Sequence, residues 1–289
     1  MNYRNKINFK VITFPTPLQE EKRKLAEEMC CIPLLKLASQ TDVENYKNDV
    51  TGVAIKKSDI SDIITFSVKK CGNPNPLMLL GTTGVYPQDS NVEGFIFEWK
   101  KYLIAYGEGE YTISVNYTIA GVTGSYDYGN YNLKKYSISN ASGTVRVWSE
   151  PSTYSQKESI DYTASNHKDC IRFNGFFGNR QPKTEINNLI TKGRVVEKVT
   201  RENLNEYTLR TDPIDVKISR RLIDFHFLNE DNLLITDHNA SNHSYNYFDT
   251  AVSLEESAEI EYIDRSRLAK IIVKFGDKRK LDKSFYNLQ

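Results

Sequence analysis

Tyr111-Thr-Ile-Ser-Val-Asn-Tyr-Thr-Ile119 decides the fold class. Its odd positions are apolar, and its even positions carry hydroxyls or an amide. Successive side chains of a strand point to opposite faces, so this period of two describes a strand with one buried and one solvated face. Just upstream, Phe95, Phe97 and Trp99 alternate with Ile96 and Glu98. Gly107-Glu-Gly-Glu110 lies between the two runs and reads as the turn of a hairpin. Ile64, Phe66 and Val68 alternate with Thr65, Ser67 and Lys69 in the same manner. After the break at Gly121-Val-Thr-Gly-Ser125, further strands are expected near 133–138 and 144–148, split by Asn140-Ala-Ser-Gly143. Short strands with turn signals at near-regular spacing predict an antiparallel, sandwich-like domain.

Further along the chain, 149–168 is polar and contains Pro151, which suggests a linker or a long surface loop. Ile171 and Phe173 then alternate with Arg172 and Asn174, and Gly175, Gly178 and Pro182 punctuate the run. Strands are expected at 194–200 and 207–211. Ile218, Leu222 and Phe225 share one helical stripe and predict a short helix. Leu233-Leu-Ile-Thr236 reads as a strand, and alternation returns at Ile260 and Tyr262 and at Ile271, Val273 and Phe275. At the other end, Thr16 is a candidate helix cap, Pro17 fits a first turn, and Pro33 ends the run. Leu18, Leu25 and Met29 lie on one side of that helix, opposite a charged face. The expected class is mainly β: antiparallel β-sandwich-like domains with a peripheral N-terminal helix. The expected parts are an arm with a helix (1–59), a β domain (60–165) and a second β-rich domain with one short helix (166–289).

Charge restricts the partners. Thirty-eight Lys and Arg against 37 Asp and Glu leave a net charge of +1. A nucleic-acid binder usually draws its affinity from a clear basic excess. Lys278-Arg-Lys280 is diluted by Asp277 and Asp282, so no sequence-specific nucleic-acid recognition is expected. Cys30, Cys31, Cys71 and Cys170 have neither the spacing of a disulfide framework nor that of a zinc site, which suits a reducing compartment. No apolar run approaches the ~18 residues of a spanning helix, so no membrane partner is expected.

The chemistry-bearing patterns are weak. There is no glycine-rich phosphate loop and no G-x-S-x-G elbow in the chain. Among His167, His226, His238 and His243, the densest setting is Asp237-His-Asn-Ala-Ser-Asn-His243. It has the groups of a metal or acid–base site, but a pair five apart in a loop lacks the fixed geometry of a helical pair, and these are also turn residues. Carboxylates such as Glu108, Glu110 and Asp224 form no readable pair. The expectation is no catalytic residue, no cofactor and no metal. Tyr126, Tyr128, Tyr131 and Tyr136 crowd one stretch. Such rings suit a glycan-recognition surface, a subunit interface, or a strand with half-buried side chains. With Leu18, Leu25 and Met29 they are the candidate interface residues.

Arg194-Val-Val-Glu-Lys-Val-Thr-Arg-Glu-Asn-Leu-Asn-Glu-Tyr-Thr-Leu-Arg-Thr211 leads through the short helix to Leu233-Leu-Ile-Thr-Asp-His-Asn239. This run and the closing strands resemble structural proteins of tailed phages of gut Bacteroidales, the crAss-like phages. The likeness covers about Arg172 to Phe275, and the Asn-, Tyr- and Lys-rich style of the chain agrees with it. It implies a non-catalytic virion subunit in a multi-copy ring of the tail or neck. Its partners would be copies of itself and other tail or neck proteins, assembled in the host bacterial cytoplasm into the virion. The alternatives are a carbohydrate- or receptor-binding β module of a fibre or adhesin and, less directly, a polysaccharide-degrading enzyme.

Overall fold

The computed structural model describes residues 33–43, 46–119, 121–155, 158–190, 196–228, 232–239, 247–255, 258–263 and 266–277, with backbone alone over 179–190 and 196–205. The helix expected at 17–31, with Leu18, Leu25 and Met29, lies outside the described residues. The rest is mainly β, in antiparallel sheets packed face to face.

Three sheets stack. The first joins β1 (Leu34–Ala38), β3 (Ile63–Lys70), β6 (Gly109–Ile119) and β7 (Val122–Lys135) in the order β1-β7-β6-β3, with β1 parallel to β7. The second joins β2 (Val50–Lys56), β4 (Gly81–Thr83) and β5 (Val92–Glu98) in the order β2-β5-β4. β9 (Tyr154–Ser155) and β10 (Ile160–Asp161) make a small separate hairpin. The third sheet holds β8 (Thr144–Ser149), β11 (Asp169–Ile190), β12 (Val196–Thr211), β14 (Leu233–Asp237), β15 (Thr250–Leu254) and β17 (Leu268–Asp277). Its order is β12-β11-β8-β14-β15-β17, and β17 pairs back onto β12, so six antiparallel strands close into a barrel. Two short strands, β13 (Ile214–Asp215) and β16 (Glu259–Tyr262), also pair with β17.

The alternation at 111–119 does what strand geometry requires. Tyr111, Ile113 and Val115 enter a core with Val68, Tyr131 and Leu133 of their own sheet and Val53, Ile55 and Phe97 of the second. Burying each large apolar side chain contributes about 1.5–3 kcal/mol. The expected hairpin between 95–99 and 111–119 does not form. A helix, α1 (Trp99–Tyr106), lies between them and carries the chain from the second sheet to the first. Trp99, Tyr102, Leu103 and Tyr106 are spaced as one helical stripe, and the first three are fully or almost fully buried. Gly107, at φ 78°, ends that helix. A second, short helix, α2 (Ile138–Ala141), is capped by Ser137.

β2 is the middle layer, buried on both sides. Val53 and Ile55 face the first sheet, while Val50 joins Ile96, Trp148 and Cys170 against the outer wall of the barrel. A Cβ at Gly52 would lie 2.4 Å from the Lys168 carbonyl oxygen, so glycine is required where the layers come closest. β1 and β2, upstream of residue 60, are therefore part of the β layers, and β8 belongs with the barrel. The polar segment 149–168 is not a free linker either: Ile160, Tyr162 and His167 in it are buried.

Gly175, Gly178 and Pro182 do not end β11, which continues as one side of a long ribbon with β12. A register shift between Gly178 and Gln181 absorbs the irregularity. β11 pairs with β8 through Asn174; beyond that the Asn239 amide and the Asp237 carboxylate meet its edge at Gly175 and Phe177, and among the described residues no strand pairs with that edge at Pro182, where proline is tolerated. The helical stripe at 218–225 is borne out as α3 (Val216–Arg221), capped by the Asp215 side chain and continuing as a π-helical turn over Leu222–Phe227. Among the described residues, no helix is long and apolar enough to cross a membrane.

Candidate functional site

The tyrosine run is mostly turned inward. Ile113 pairs with Gly129 and Ser114 with Asp127, so Tyr128 is an extra residue, a β-bulge. The extra residue switches the strand's parity. Tyr126 before it, Tyr128 itself, and Tyr131 and Leu133 after it all pack on the same core. Tyr131 is fully buried, so it presents no surface to a ligand or neighbour. The Tyr128 hydroxyl reaches the Gly52 carbonyl at 3.4 Å, and the Arg221 guanidinium lies over its ring at 5.2 Å. Tyr136 is half-buried and stacks on Tyr46, ring centroids 3.7 Å apart, with His238 beside both.

Between β2 and the barrel lies a seam of buried charges. Val145-Arg-Val-Trp148 and Ile171-Arg-Phe173 alternate, so their valines, isoleucine and phenylalanine fill the barrel. Their arginines take the opposite face, against β1 and β2. Arg172 donates from Nε and Nη2 to the two Asp49 oxygens at 3.0 and 2.9 Å, and from Nη1 to Thr144 Oγ1 at 3.0 Å. Asp49 also accepts the Leu37 backbone N–H at 2.8 Å, and Arg146 stands 3.9 Å away. Lys36 donates to the carbonyls of Val50 and Cys170. Burial pushes the Asp49 carboxyl up, but Arg172, with Arg146 and Lys36 behind it, outweighs burial and holds it below its ordinary value. Cys170 is pushed up to about 11, mainly by burial, and is an inert thiol.

Deeper along the seam, Ser149, His226 and Asp169 have the groups of a nucleophilic triad. Ser149 Oγ lies 2.7 Å from His226 Nδ1, and His226 Nε2 lies 3.5 Å from Asp169 Oδ2. Two features argue against that chemistry. The ring is reversed relative to a working triad, where Nε2 faces the serine and Nδ1 the carboxylate. All three residues are also 0% exposed, and Asp169 is held by an ion pair with Arg221 and by the Gly52 N–H at 3.1 Å. Burial raises the Asp169 carboxyl, yet Arg221, His226 and Lys36 bring it well below its ordinary value. A carboxylate engaged in this way ties β2, the barrel and the π-helical turn together. Ser149 and His226 stand 77 residues apart, so no local motif could have revealed the group.

The Asp237–His243 motif is a turn over its described part. The Asp237 carboxylate accepts the Asn239 N–H at 2.7 Å and the Phe177 N–H at 3.1 Å. Burial, with Arg172 and Arg146 nearby, lowers His238 to about 3, which keeps its ring neutral. His243 lies outside the described residues. Among the described residues, no group of three or more His, Cys, Asp or Glu is placed to hold a metal ion.

Two exposed features remain. The outer face of the first sheet is polar: Thr112 bonds Asn130 at 2.8 Å and Ser114 bonds Asp127 at 2.7 Å. These four, with Glu110 and Lys69, line an open groove of about 430 Å3. The second feature is the β11–β12 ribbon. Past Glu206 it pairs only within itself among the described residues, from Gln181–Glu206 to Ile190–Val196. Ten residues at about 3.3 Å each make this part of the ribbon roughly 33 Å long.

No known protein family matches this chain, and no characterised protein matches its sequence.

Proposed function

We propose that this protein is a structural subunit of a tailed-phage virion, a non-catalytic component present in several copies in a ring of the tail or neck. The observation that carries the reading is the ribbon. Among the described residues no third strand pairs with this extension of roughly 33 Å, and a lone two-stranded ribbon is marginally stable in water. A neighbouring subunit that packs on such a ribbon stabilises it, as for other segments completed in an assembly. The crAss-like resemblance, which spans this ribbon and the barrel strands around it, points the same way. A rigid, charge-locked joint between barrel and sandwich suits a part that must hold a fixed shape between neighbours.

Gradient sedimentation of a lysate from the natural source, with mass spectrometry across the fractions, tests the reading. The chain is expected with nuclease-resistant, genome-filled particles. Recovery only in the light, soluble fractions would overturn it.

The polar groove on the first sheet favours a second reading, a carbohydrate-binding module of a fibre or adhesin. Asp127, Asn130, Glu110 and Thr112 offer hydrogen bonds of the kind that sugar hydroxyls accept and donate. Binding on a glycan array that is lost in Asp127→Ala would support it, and an array without any binding would remove it.

A further inference from the structure

We draw no further inference here: the strongest candidate, the open groove on the outer wall of the barrel lined by Phe176, Arg210, Asp212, Glu261 and Lys270, is bounded by exposed charges of both signs, and nothing in the structure shows what occupies it.

Discussion

Asp49→Ala removes the hub of the buried seam, and its cost can be worked from the geometry. The Asp49 and Arg172 side chains are each 0% exposed, so solvent does not screen the pair. Deleting the carboxylate takes two hydrogen bonds from Arg172 and leaves its guanidinium with Thr144 Oγ1 as its remaining named acceptor. It also strips the Leu37 N–H of its acceptor. Breaking a buried ion pair by removing one partner costs about 3–5 kcal/mol, against about 5–15 kcal/mol for the stability of a whole domain. At a urea slope of about 2–3 kcal/mol per molar, the unfolding midpoint should fall by about 1–2.5 M. Urea titration followed by circular dichroism and tryptophan fluorescence reads it directly, since Trp148 sits on the seam. The double variant Asp49→Leu with Arg172→Met should recover most of the loss, because similar-sized apolar side chains leave no charge stranded. An Asp49→Ala midpoint within 0.3 M of wild type (about 1 kcal/mol or less) would refute the claim that this pair holds barrel and sandwich together.

Further predictions follow from the same geometry. The folded-state values of Asp49 and Asp169 lie below the ordinary 3.8, so their contribution is present above the unfolded value of about 4 and is lost as pH falls through the depressed ones; melting temperature should be flat from pH 8 to 6 and drop below about pH 4, and a protein equally stable at pH 3 would contradict this. Gly52→Ala places a methyl group against the Lys168 backbone and the His167 ring and should cost about 1–3 kcal/mol, seen as a lowered melting temperature. Site-resolved alkylation at pH 8 should modify exposed Cys71 and spare Cys170 in the native protein, with both reacting after unfolding. A fluorophosphonate should leave Ser149 unlabelled in the native protein, because its hydroxyl is buried against His226; labelling would reopen a hydrolase reading.

The β class was legible because each half of the chain has strands with one wet face, as at Tyr111–Ile119. Where both faces are buried, the signal fails. Val145-Arg-Val-Trp148 looks like a surface strand with an exposed arginine, yet Arg146 is 2% exposed because Lys47 and Asp49, Thr236 and Asp249 enclose it. The pairing of Asp49 with Arg172 spans 123 residues, so no window of sequence could show the seam. Tyr131, a candidate interface residue from sequence, is fully buried, and the single-residue bulge that brings it onto the same core as Tyr126 and Tyr128 has no signature in the sequence. α1 was missed although Trp99, Tyr102, Leu103 and Tyr106 carry a helical stripe; the strand-like run of Phe95, Phe97 and Trp99 overlaps its first residue. Gly175, Gly178 and Pro182 suggest a broken strand, whereas β11 runs through all three and a register shift between Gly178 and Gln181 absorbs the irregularity.

Copy number in purified particles tests the structural-subunit assignment most directly. Isotope-dilution mass spectrometry of nuclease-treated, gradient-purified virions from the natural source would count this chain against the major capsid protein. A ring component should appear at several copies per particle, constant between preparations and resistant to washing in high salt. A count near zero, or one that falls with each wash, would contradict the assignment.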